Sequence, residues 1–369
     1  MKPVECAPRD LVASDAATGS LRPLATALVK LSRFIACLCV AGLIALPVLE
    51  IALRVFTRPP FSKGYIRTHP TRHYELTPNY RGMTYDVLLE INSQGMRDVE
   101  RAVDPHAFRV AVFGDSLTFG QGVELSRTYT KRLEARLAAA SAAPVQVFNF
   151  SVPGFDTGAE LSLLRDVFDQ FKPQLVIFQF TVADDTVPMV ESASNGIPAV
   201  RMIKDLLRKT YVYDYLAGRF YGLLQAQAAA PAGAKPATKM AALYDDDYPG
   251  WVSCQRFLGE IAAFARDHQQ AAVFALFNDS GHIAATPAAD PAAPTLEKLD
   301  RALDQAGLSH HLLMDDGLRA FAGREALLHV RPDDMHFNAA AHDLLAEYLF
   351  NYLRGAHLAS PEAALGGPH

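Results

Sequence analysis

The chain of 369 residues is half hydrophobic (50%), enough apolar content to build a sizeable core and to exclude disorder as its main state. Its formal net charge of −5 and pI near 6.2 provide no basic field for a nucleic-acid partner. Of four cysteines, Cys6 lies in the N-terminal tail, Cys37 and Cys39 sit in an apolar run and Cys254 stands alone, so neither a disulfide framework nor a zinc motif follows.

After a tail of residues 1–33, the run from Phe34 to Leu49 carries no charge, and apolar character resumes beyond Glu50 to Phe56. A spanning helix needs roughly 20 mostly apolar residues, which 34–56 meets. A retained signal anchor, a cleaved signal peptide and a buried core helix compete here. The anchor is preferred because no small-x-small cleavage site follows and the preceding tail is long for a signal n-region. Arg and Lys on both flanks leave the positive-inside rule undecided. The expectation is a single-pass membrane protein with its main domain on the exported, periplasmic side.

Residues 57–107 hold scattered Pro and Gly with one alternating patch, YDVLLEIN, and read as a small β-rich lead-in. Five short apolar runs follow: FRVAVF at 108–113, VQVFNF at 145–150, QLVIFQF at 174–180, AVFALF at 272–277 and HHLLM at 310–314. Segments with apolar residues at helical spacing separate them. Alternation of this kind predicts a three-layer α/β/α sandwich with a parallel five-stranded sheet over 108–354, preceded by one transmembrane helix and followed by a tail, 355–369. An inserted element of about 187–249 interrupts the rhythm and contains the low-complexity AQAAAPAGAKPATK.

The first of these runs exits into GDSLTFGQG, Gly114 to Gly122. Reactive groups of an open α/β sheet lie beyond the carboxyl ends of its strands, where Ser116 stands. A serine hydroxyl needs a base, and the base needs a group that fixes its tautomer. In RPDDMHFNAAAH, His336 can serve as base and Asp333, three residues earlier, as the orienting carboxylate. Asp334 sits beside it. No metal constellation appears, and the mechanism requires no cofactor.

GDSLTFG, NFSVPG and DDMH resemble blocks I, II and V of the GDSL/SGNH hydrolase family over about 108–354. NSQGMRD, with the single anchor, resembles membrane-tethered members of that family associated with bacterial cell-surface polysaccharides. The resemblance implies Ser116 as nucleophile, His336 as base, Asp333 as its partner by motif register, and the amides of Ser116 and Gly154 as oxyanion-hole donors. Where the family places an asparagine as third donor, this chain reads FTVADDT and puts Asp184. An ionised aspartate has no proton to give, so Asp184 either stays neutral or leaves the oxyanion hole. The resulting expectation is a serine esterase acting on an acylated small molecule or glycan. Its alternatives are an O-acetyltransferase or deacetylase of a cell-surface polysaccharide, and a silent binding module. Oligomeric state is left open.

Overall fold

The computed structural model describes residues 21–56, 64–182, 184–187, 210, 212, 237–278, 283–331 and 334–360. The chain divides into two compact units, the first comprising residues 1–58 with 210–212 and the second the remainder.

The first unit is dominated by helix α1, Leu21–Phe56, which begins well before the apolar run expected at 34–56. Its Lys30–Phe56 portion is 27 residues long and apolar enough to cross a bilayer by length and composition. Glu50, the acid that interrupts the apolar run, pairs with Arg54 one turn later at 2.6 Å.

In the second unit the lead-in folds as two hairpins. β1 (Ile66–His69) pairs with β2 (His73–Leu76), and β3 (Arg81–Thr84) with β4 (Val87–Glu90), both antiparallel. The NSQGMRD segment then turns on itself, the Asn92 Oδ1 accepting from the Gln94 and Met96 amides at 3.0 and 2.9 Å. This is the side-chain mimicry of a backbone turn for which asparagine is suited.

The five expected strands form one parallel sheet. They are β5 (Phe108–Phe113), β6 (Val145–Asn149), β7 (Leu175–Thr181), β8 (Ala271–Phe277) and β9 (His311–Leu313), in the order β6-β5-β7-β8-β9. Helices α2 (Ser116–Phe119), α3 (Tyr129–Ala140), α4 (Thr157–Phe171), α5 (Ala237–Ala242), α6 (Pro249–Asp267), α7 (Ala293–Ala306) and α8 (Ala339–Gly355) surround it. Side chains alternate across each strand, so Ala111 and Phe113 of β5 join a core with α4, α6 and α7, whereas Val110 and Val112 join one with α3 and α8. Both faces are thereby covered, as an all-parallel sheet demands. Most of the inserted element lies outside the described residues. Its described end supplies α5, and α6 starts at Pro249, a residue suited to a first helical turn.

Because β6 and β7 flank β5 on opposite sides, the chain reverses its direction of winding at β5. A crevice opens there beyond the carboxyl ends of the strands. The turn after β5 carries Ser116, the turn after β6 carries Gly154, and the turn after β7 carries Asp184.

Candidate active site

Ser116 opens the short helix α2. Asp115 caps that helix, its Oδ1 accepting from the Leu117 amide at 2.7 Å, and its Oδ2 accepts from the Thr181 hydroxyl at 2.8 Å. Burial pushes the Asp115 carboxyl up, outweighing those hydrogen bonds. Gly114 has to be glycine here: a Cβ would stand 2.5 Å from the Thr118 Oγ1 and 2.7 Å from the Gln179 Oε1. That same Gln179 oxygen accepts from the Asp115 amide at 2.9 Å, locking the strand exit.

The loop after α2 is held from below by Arg97 of NSQGMRD. Its buried guanidinium donates to the carbonyls of Phe119, Gly120 and Val123, and burial lowers its pKa to about 10. Asp98 meanwhile receives Lys131 of α3 at 2.6 Å. The segment thus buttresses the serine turn, a role its sequence did not reveal.

His336 reaches the serine from the far end of the chain. Its Nε2 stands 2.8 Å from the Ser116 Oγ, and its Nδ1 stands 2.5 Å from the Asp334 Oδ1. A carboxylate can only accept, so the Nδ1 carries the proton and the Nε2 is left to accept from the hydroxyl. The carboxylate found on the imidazole is therefore Asp334, one residue beyond the expected Asp333, which lies outside the described residues. The reason is local. The His336 amide also donates to the Asp334 Oδ1 at 2.8 Å, an Asx-type turn that folds a carboxylate back onto the residue two positions later. Burial acts to raise the Asp334 pKa, but its bonds to the His336 ring, to Tyr85 and to the His336 amide leave it below the usual value.

Tyr85, from the turn between β3 and β4, is the further neighbour that sequence reasoning missed. Its ring centroid lies 5.6 Å from that of His336, and its Oη lies 3.5 Å from the Nδ1. Burial is the main cause that pushes its phenol up.

The turn after β6 is tied to the serine turn by the Val152 amide donating to the Gly114 carbonyl at 2.9 Å. Gly154 has φ +78, and a Cβ there would meet the Tyr74 Oη at 2.7 Å. Tyr74 donates that hydroxyl to the Pro153 carbonyl at 2.9 Å, and its pKa rises to about 12, chiefly through burial. Conformation and close approach both require glycine at 154.

After β7 the two aspartates part. Asp184 is exposed, with its amide on the Thr181 carbonyl at 2.9 Å. Asp185 is buried and accepts from the Thr181 amide at 2.6 Å and from the Thr157 hydroxyl at 3.0 Å. Burial pushes its pKa well up, as it does that of buried Glu160 nearby. His342, on α8, accepts from the Tyr129 amide at 3.0 Å, and its pKa falls to about 3 through burial first, then Arg97 and His336. It is neutral and serves packing. Among the described residues no group of acids, histidines and cysteines is arranged to hold a metal.

The profile of the GDSL-like lipase/acylhydrolase family matches residues 112–344, from the end of β5 through the histidine loop into α8. No curated protein sequence matches the chain. Among solved structures, TesA is 19% identical, with 67% of this chain and 98% of that chain covered and a TM-score of 0.38. The esterase EstA from Pseudoalteromonas sp. is 14% identical, with coverage of 67% and 97% and a TM-score of 0.39. The acetylxylan esterase Axe2 from Geobacillus stearothermophilus is 14% identical, with coverage of 68% and 96% and a TM-score of 0.37. With its signature beginning at the exit of β5 and running through the histidine loop, the chain belongs to the GDSL-like lipase/acylhydrolase family and is a carboxylic ester hydrolase of that type.

Proposed function

We propose that the ester is cleaved through a covalent acyl group on Ser116, with His336 as general base and acid and Asp334 as the carboxylate that orients it. The observation that carries this reading is the continuous set of contacts from Asp334 through His336 to the Ser116 Oγ at 2.5 and 2.8 Å. The hydroxyl attacks the ester carbonyl as the Nε2 takes its proton. The alkoxy group then leaves with that proton, and water repeats the sequence to release the acid.

The oxyanion formed at each addition meets the amides of Ser116 and Gly154. An amide in a first helical turn has no partner within its helix, and each well-aimed donor is worth on the order of a hundredfold in rate. Asp184 stands where the family carries an asparagine, and as an acceptor it adds nothing to that pair. The substrate class is an acylated alcohol; a glycan hydroxyl in place of water would turn the same intermediate into an O-acyl transfer.

In this reading α1 anchors the chain in a bilayer with the catalytic unit on the exported side. Protease added to spheroplasts should digest that unit, and protection until lysis would reverse the orientation. Hydrolysis of p-nitrophenyl acetate by the full-length protein in detergent, beside Ser116→Ala, tests the chemistry. Turnover should vanish with the hydroxyl, and equal rates in the two proteins would dismiss the serine mechanism.

A further inference from the structure

We propose that Tyr85 is a positioning residue of the acid–base pair, its hydroxyl bonding the Asp334 carboxylate while its ring packs, tilted, against the His336 imidazole. The inference rests on the reading of Ser116, His336 and Asp334 given above.

The register of the second hairpin pairs Thr84 with Val87, leaving Tyr85 and Asp86 as a two-residue loop. Both have positive φ, +46 and +67, the signature of a type I′ turn that asparagine and glycine normally supply. A tyrosine and an aspartate adopt it only where surrounding contacts over-determine the conformation, and such positions cluster at functional sites.

Those contacts are present. Asp86 accepts from the Arg331 guanidinium at 3.1 Å, and the same guanidinium lies 5.1 Å from the centre of the Tyr85 ring. On the other side the serine loop comes so close that a Cβ on Gly122 would stand 3.0 Å from the Tyr85 Cβ and 2.6 Å from Val330. The outer side of the hairpin, from Asp86 to Glu90, borders an open cleft of about 880 Å³ facing α3. Leu88 is 43% exposed there, while Leu89 is fully buried. Leu89 seats the body of the hairpin in a core with Leu76, Ile91 and Phe119, while the contacts of the tip hold Tyr85 against the histidine.

Its placement decides its task. Tyr85 approaches the Nδ1 side of the imidazole, where Asp334 sits, and not the Nε2 side that faces Ser116. It cannot donate to substrate from there. What it can do is hold the carboxylate and the ring coplanar enough for Nε2 to stay within reach of the serine. Asp334 already accepts from the His336 ring and amide, and the phenol adds a donor. Removing that donor leaves the carboxylate a stronger acceptor for the protonated imidazole, so the protein is held in its inactive protonated form up to a higher pH. The charged and titratable groups that act on this assembly are Asp334, Arg331 and Asp86, with Tyr65 acting on the phenol, and His336 in turn acting on His342, which Arg97 also influences.

The test compares the full-length protein with Tyr85→Phe, which keeps the ring and loses the hydroxyl, using p-nitrophenyl acetate. Leu88→Ser, on the open side of the same hairpin, serves as control. Tyr85→Phe should lower kcat roughly tenfold, the value of one charge-assisted hydrogen bond. KM should stay within about twofold, since the phenol does not meet substrate. The acid limb of kcat against pH should move up by about half a unit. Leu88→Ser should leave all three unchanged. An unaltered kcat in Tyr85→Phe overturns the inference, and so does a lower kcat with the acid limb unmoved, because a purely structural defect does not move it. If the unsubstituted protein itself shows no Ser116-dependent turnover, it is the underlying mechanism that fails, not the role of Tyr85.

Discussion

Replacing Asp334 by asparagine separates the carboxylate proposed to orient His336 from its neighbour and from the fold. The asparagine Oδ1 can still accept from the His336 amide, so the Asx-type turn that shapes the loop survives. That same Oδ1 is the atom 2.5 Å from the Nδ1, so what the ring loses is the negative charge that stabilises the imidazolium formed when the Nε2 takes the serine proton. If the amide instead turns its NH2 to the ring, the Nδ1 gives up its proton and the Nε2 presents an N–H to the Ser116 oxygen at 2.8 Å, with nowhere to receive the hydroxyl proton. Loss of the orienting carboxylate costs on the order of 10³ to 10⁴ in kcat, equivalent to about 4–5.5 kcal/mol of barrier. Asp333→Asn should stay within about twofold of the unsubstituted protein. Initial rates of p-nitrophenyl acetate hydrolysis, with melting temperatures to show that both variants fold, measure this. An active Asp334→Asn beside an inactive Asp333→Asn would refute the assignment.

Gly114→Ala forces a methyl group onto Thr118 and Gln179, which should cost about 1–3 kcal/mol of stability together with much of the activity. A melting temperature equal to that of the unsubstituted protein would show that the turn is slacker than its contacts imply. Glu160→Gln should stabilise the protein increasingly as pH rises. The buried folded carboxyl keeps its proton well above the ordinary value of 4.5, so the unfolded chain releases a proton that the folded chain retains. Stability therefore falls with pH above that value by about 1.4 kcal/mol per unit until the folded group titrates, and glutamine escapes the loss. Denaturation at pH 4 and pH 7 checks the trend, and a gain independent of pH contradicts it. Asp184→Asn places an amide donor where the family has one and should raise kcat several-fold; a fall at every pH would assign the aspartate a positive role.

The sheet was legible because its three central strands, β5, β7 and β8, are short apolar runs buried almost throughout, the pattern of a strand covered on both faces. FRVAVF and AVFALF needed no tertiary information. GDSLTFGQG was legible for a related reason: the glycine, the capping aspartate and the serine are all dictated by one tight strand-to-helix turn. Asp333 was selected over Asp334 by register, whereas the carboxylate that contacts the imidazole is Asp334, held there by a side-chain bond to the His336 amide that spacing does not encode. Tyr85 was hidden more deeply. A type I′ turn is recognised by asparagine or glycine, and the Tyr-Asp pair has neither. Its turn exists because Arg331 and Gly122, far away in sequence, hold it. Likewise Arg97 reads as one more surface arginine until the carbonyls of the serine loop are seen to converge on it.

The central claim is that Ser116 becomes acylated, and the most direct test is intact-protein mass after treating the full-length chain with an activated phosphonate ester, a mimic of the tetrahedral intermediate. One adduct per chain should appear, map to the peptide containing Ser116, and be absent from Ser116→Ala and slowed in His336→Ala. Labelling elsewhere, or equal labelling of Ser116→Ala, would contradict it.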